Sequence, residues 1–89
     1  MLFLSEKEIK AAVTMNDVID AVDEAYRIYE ADEYEMPLRT SVSQGENTLM
    51  LMPCLTDQAF GTKLLTIFPN NRDLPVIQGI VVLNDSKTG

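Results

Sequence analysis

The hydrophobic period of this chain changes at Pro37. Before it, Val18, Ile19, Val22, Ala25, Tyr26 and Tyr29 recur at helical spacing, with Asp17, Asp20, Asp23, Glu24 and Arg27 over much of the other face. Pro37 keeps Met36 out of helical geometry. After it, apolar residues come in short runs separated by turn residues, as strands do. Helices first and strands afterwards define an α+β fold, with two N-terminal helices packed on a mostly antiparallel sheet.

The helices carry their own start signals. Ser5 and Glu8 have capping-box spacing ahead of a short helix over residues 6–12. Thr14 to Asn16 offer a second start, with Asp17 in the first turn, and that helix ends near Ala31. The acidic stretch over 30–35 is a solvated connection, because nothing fixes its carboxylates around one point. Residues 2–4 form a short strand, and further strands are expected over 39–43, 48–52, 60–68 and 76–84. Pro53 should stop the second of these, and Gly79 marks a bulge or a close approach in the last. The ending Asp85-Ser86-Lys87-Thr88-Gly89 has turn composition after a long apolar strand, which normally feeds another strand, so the chain reads as cut at a hairpin tip.

Composition excludes several functions. A net charge of -7 repels phosphate backbones, so no nucleic-acid partner is expected. No apolar run reaches the length of a membrane helix, and Met1-Leu2-Phe3-Leu4 lacks the basic start of a signal peptide. With no His and one Cys, neither a zinc site nor a His-based triad can be assembled. Cys54 has no basic neighbour to activate it and is a structural thiol, consistent with a reducing cytoplasmic compartment. The four glycines, Gly45, Gly61, Gly79 and Gly89, form no phosphate-binding fingerprint, so no cofactor-binding residue is assigned.

The chemistry left is cationic. Lys63 interrupts a run that otherwise has the composition of a buried strand, and Arg39 opens another. A charge among apolar residues needs a partner, a charged ligand, or a route to water. A guanidinium fork beside an ammonium suits a carboxylate, the first binding it bidentately and the second as a point charge. Strands lie about 5 Å apart, so the two cations can share one face of a sheet. The competing readings are a lysine on an edge strand or one that reaches its ammonium out to water, and pairing of each cation with one of the 14 acidic residues.

Five motifs then occur in order: Met36-Pro37-Leu38-Arg39-Thr40; Leu49-Met50-Leu51-Met52-Pro53; Gly61-Thr62-Lys63-Leu64-Leu65-Thr66-Ile67-Phe68-Pro69-Asn70-Asn71; Leu74-Pro75-Val76-Ile77-Gln78-Gly79; and the closing Asp85-Ser86-Lys87-Thr88-Gly89. Together they resemble the N-terminal region of the ornithine cyclodeaminase/mu-crystallin family, over essentially the whole chain. The resemblance implies NAD(P)-dependent amino-acid or imino-acid chemistry in a homodimeric protein more than three times this length. It makes residues 1–89 a single partial domain, a fragment of the substrate-binding and dimerisation domain, with the Rossmann domain absent and the piece inactive alone.

Position by position, the resemblance makes Arg39 the residue that binds a substrate carboxylate. Lys63 becomes the catalytic proton donor or acceptor beside it, and Met52 an apolar pocket wall. Met50 departs from the pattern. Ornithine-specific members carry a Glu there, and a thioether leaves a distal ammonium unpartnered. The implied ligand is a small apolar amino acid or cyclic imino acid. The rival reading is a stand-alone acidic α+β module that dimerises through an open sheet edge. An immediate stop codon after Gly89 favours the module, and a following strand, helix and glycine fingerprint favour the enzyme.

Overall fold

A computed structural model describes residues 1–89, which divide into two compact units, Met1–Glu33 and Tyr34–Gly89. The first unit holds α1 (Glu6–Ala12) and α2 (Met15–Glu30). Both begin with a complete capping box: Ser5 pairs reciprocally with Glu8, and Thr14 with Asp17. The Thr14 hydroxyl accepts from the Asp17 N–H at 3.2 Å, while the Asp17 carboxylate accepts from the Thr14 N–H at 2.7 Å. Along α2, Arg27 donates to Asp23 one turn earlier at 2.7 Å. The helix ends in a Schellman motif. The Glu33 N–H donates to the Ile28 carbonyl and the Asp32 N–H to the Tyr29 carbonyl, with Asp32 left-handed at φ 57°. Residues 2–4, expected as a strand, form no regular structure. A strand needs a partner ladder, and none pairs with this segment.

The second unit is a four-stranded antiparallel meander in the order β1 (Thr40–Gln44), β2 (Asn47–Leu55), β3 (Ala59–Ile67), β4 (Ile77–Asp85). A two-residue turn joins β1 to β2, with Gly45 at φ 60° and no positive φ at Glu46, the type II′ geometry that matches strand twist. Thr56 shapes the β2–β3 turn, its hydroxyl accepting from the Gln58 and Ala59 N–H groups at 3.3 Å. Ser86 ties the far end of β4 to that turn through the Asp57 carbonyl at 2.7 Å. Gly79 is a close approach and not a bulge. Its pairing with Leu65 is in register, and a Cβ there would stand 2.7 Å from the Leu64 carbonyl oxygen and 2.9 Å from the Leu65 Cβ.

Pro53 does not stop β2, which runs on to Leu55. Leu55 sends both its N–H and its C=O to Glu35, on the β1 side. Pro53, two residues earlier, aims its missing N–H the same way. The ladder to β3 is therefore complete, and the ladder to β1 fails beyond the Thr40–Leu51 pair. No residue in the chain is buried. The strands with the most cover are β2 and β3, in the middle of the sheet, and most of their residues are half-buried.

Candidate functional site

Register places the candidate residues. Directly paired residues of an antiparallel sheet point to the same face, and faces alternate along each strand. Met52 pairs with Lys63, and Lys63 with Val81. Ser41 pairs with Met50, Met50 with Leu65, and Leu65 with Gly79. Met50, Met52 and Lys63 thus share one face, in adjacent rows. Arg39 immediately precedes β1, one residue beyond the last β1–β2 pair, Thr40 with Leu51, and so lies next to the Met52–Lys63 row without belonging to the ladder. The two cations are not on neighbouring strands, because β2 lies between them. Two strand spacings separate their backbones, about 10 Å, a gap that two long side chains on one face are able to span.

Lys63 belongs to an internal strand, which removes the edge-lysine reading. It is exposed and opens onto the sheet face. The pairing alternative fails as well. The chain forms two ion pairs, Lys10 with Glu6 and Arg27 with Asp23, both within helices. Arg39 and Lys63 have no carboxylate partner.

Beside Lys63 lies a shallow open depression of about 260 Å³, lined by Lys63, Leu65, Ile77, Gly79, Ile80 and Val81. Arg39, Met50 and Met52 do not line it. The sequence marks Gly79 as a bulge or a close approach and Ile77 only as a strand residue; the depression they line with Lys63 follows from the register of β4, which no local motif encodes. Its floor is the missing side chain of Gly79, where a Cβ would strike Leu65. Apolar walls and one ammonium at the rim suit a small ligand with an anionic end and an apolar body. Cys54 is half-buried and unpaired on the same face as Met52, with no cation within its row.

No group of three or more Cys, Asp or Glu is arranged to hold a metal ion. The four glycines lie apart in the fold as they do in the sequence. Gly45 sits in a hairpin turn, Gly61 and Gly79 in strands, and Gly89 in the closing turn. Both helix N-termini, where a pyrophosphate would sit, are occupied by the chain's own carboxylates, Glu8 and Asp17. The Ser5 N–H and then its hydroxyl hold the Glu8 carboxyl below the usual carboxylate range, and the Thr14 N–H and hydroxyl do the same for Asp17.

Two helices followed by an antiparallel meander, with an unpaired lysine on an inner strand, define an α+β unit. The chain belongs to the ornithine cyclodeaminase/mu-crystallin family, whose sequence profile matches residues 1–89. It is 35% identical over 95 residues to a Delta(1)-pyrroline-2-carboxylate reductase of Bacillus cereus (strain ZK / E33L), covering 100% of this chain and 29% of that protein. It is 29% identical over 90 residues to an alanine dehydrogenase of Archaeoglobus fulgidus, covering 99% of this chain and 28% of that protein. Among solved structures, an archaeal alanine dehydrogenase dimer with bound NAD superposes with a TM-score of 0.89 at 27% identity, over 100% of this chain and 28% of that one. A Thermococcus litoralis Delta(1)-pyrroline-2-carboxylate reductase in complex with NADH and L-proline gives a TM-score of 0.88 at 28% identity, over 100% of this chain and 29% of that one. The chain thus spans less than a third of the length of the relatives it matches. No helix is long and apolar enough to cross a membrane.

Proposed function

We propose that residues 1–89 are the substrate-carboxylate-binding part of an NAD(P)-dependent amino-acid or imino-acid oxidoreductase or cyclodeaminase. The observation that carries this reading is the unpaired Lys63, exposed on an internal strand, with the unpaired Arg39 just ahead of β1. In an acidic chain, two cations without acids are held for a ligand. Arg39 grips the carboxylate as a fork and fixes orientation. Lys63 holds or delivers a proton at the substrate nitrogen. Met52, and Met50 beside it, present an apolar wall.

The nicotinamide supplies or accepts hydride at the substrate α-carbon, and it is held by parts of a full-length member other than these residues. By themselves the 89 residues are inactive. The full-length protein is proposed as a cytoplasmic homodimer acting on a cyclic imino acid or an apolar amino acid. L-proline, 1-pyrroline-2-carboxylate and L-alanine are the first substrates to try, because relatives bind or are named for them.

The test is a turnover screen of the full-length protein with these compounds and L-ornithine, using both nicotinamide cofactors in each direction. Turnover of a proline- or alanine-type substrate with weak or absent ornithine activity is expected. Failure to turn over any carboxylate-bearing amine or imine sinks the reading. One observation favours a second reading, the interaction module: β4 is an edge strand with large apolar residues on both faces. Sedimentation of the 89-residue chain as a stable dimer, with no turnover by the full-length protein, supports that alternative.

A further inference from the structure

Three successive pairs of β3 and β4 lie on the Lys63 face: Lys63 with Val81, Leu65 with Gly79, and Ile67 with Ile77. Gly79 is the middle of the three on β4, so one side chain is missing from an otherwise apolar array. The cause is local. A Cβ at this position would stand 2.7 Å from the Leu64 carbonyl oxygen and 2.9 Å from the Leu65 Cβ, so β3 and β4 approach this closely only around glycine. The consequence is at the surface. The gap opens as the depression of about 260 Å³, with Leu65, Ile77 and Val81 as walls and Lys63 at its rim. Lys63 is the one charged residue that lines it, and no carboxylate of the chain pairs with that lysine. Such a hole suits a small molecule whose anionic end lies toward the ammonium and whose apolar part leaves water for the hole.

We propose that the hole over Gly79 is the subsite for the apolar side group of a small carboxylate ligand, with Val81 and Ile77 setting how large that group can be. This rests on the carboxylate-binding reading above and adds β4 to the elements that choose the substrate.

The experiment uses the full-length protein and calorimetric titration of three probes. Sodium benzoate carries the charge and an apolar ring, sodium acetate the charge with little else, and benzamide the ring without the charge. Wild type is expected to bind benzoate more tightly than either of the others. Val81→Phe fills the hole and should weaken benzoate about tenfold, with acetate unchanged, the scale on which an apolar pocket reads a methylene or two. Val82→Phe makes the same enlargement on the opposite face, where Val82 pairs with Thr62, and should change neither probe. Gly79 itself stays, because a Cβ there would part the strands whatever the hole holds. If Val81→Phe fails to fold, Val81→Ala widens the hole and should improve 2-naphthoate relative to benzoate. An unchanged benzoate-to-acetate ratio in Val81→Phe, or an unchanged naphthoate-to-benzoate ratio in Val81→Ala, overturns the subsite. If wild type still prefers benzoate to benzamide, the carboxylate reading stands without it. Equal losses in Val81→Phe and Val82→Phe overturn it too, since the sheet and not the hole then carries the effect. Benzoate no tighter than acetate in wild type also overturns it, and points to a hole covered by another part of the protein. Equal binding of benzoate and benzamide removes the carboxylate reading, and the proposal goes with it.

Discussion

Lys63 stands on an inner strand, between β2 and β4, with no acid beside it and its side chain exposed, so its charge is open to water or to an anionic ligand. If the full-length protein has the proposed activity, Lys63→Met should lower kcat by about two to four orders of magnitude, the usual contribution of a positioned proton donor or acceptor. Full activity in that variant returns Lys63 to a packing role. Arg39→Ala should act differently, raising KM for the carboxylate substrate by about one to two orders of magnitude through loss of a charge-assisted fork. An unchanged KM takes Arg39 out of the site. Met50 occupies the row next to Lys63, between Ser41 and Leu65. Met50→Glu should improve recognition of a substrate with a distal amine, measured as the ratio of kcat/KM for ornithine and proline. No change in that ratio shows that position 50 does not face the ligand.

At the scale of elements, local chemistry was legible and long-range pairing was not. The Ser5–Glu8 capping box was visible in the sequence, and so was the start of α2 at Thr14 to Asn16, though not the box that Thr14 forms with Asp17. The end of α2 was read as plain acidic loop, because Asp32 stands where a Schellman motif usually shows glycine. Pro53 was expected to end β2; it does not, since the donor it lacks faces only the broken β1 ladder. Which strand separates Arg39 from Lys63 was likewise beyond the sequence, as strand order is set by contacts between distant residues. The cap at Asp32 gives a direct test. Asp32→Gly removes the cost of holding a side chain in left-handed geometry and should stabilise the protein by about 0.5–1 kcal/mol, read from denaturant midpoints. A loss of stability would mean that the Asp32 side chain contributes more than the conformation costs.

Acid should loosen the caps and the closing turn together. The Asp85 carboxyl is held below the usual range by the Thr88 hydroxyl, at 2.9 Å, and then by the Lys87 and Thr88 N–H groups. Like Glu8 and Asp17, it has a lower proton affinity folded than unfolded. Its contribution is complete above the ordinary carboxylate pKa and fades as pH falls through that range toward the depressed folded value. Helical circular dichroism should therefore fall in acid, and Glu8→Gln with Asp17→Asn should flatten that dependence. An unaltered acid limb in the double variant rules the caps out as its source.

Across the whole chain, the unusual quantity is the apolar surface left in water. Not one residue is buried, and β4 carries Val81 at 67% and Leu83 at 71% exposure. Nearly continuous apolar strands of this kind normally have both faces covered. The amphipathic helix α2 likewise shows Val18, Ile19 and Val22 to solvent, at 42%, 57% and 49%. Hydrophobic burial is the main term that offsets chain entropy, and a chain with so little of it has little to hold one packed state. The 89 residues expressed alone should bind an apolar dye such as anilinonaphthalene sulfonate and melt without a sharp transition. Scanning calorimetry decides the point. A cooperative peak of about 60 kcal/mol, the enthalpy expected of a packed domain this long, would show that these residues are self-sufficient. A flat trace with strong dye binding would show that β4 and the face of Lys63 depend on further cover, and would agree with a site completed only in the full-length protein.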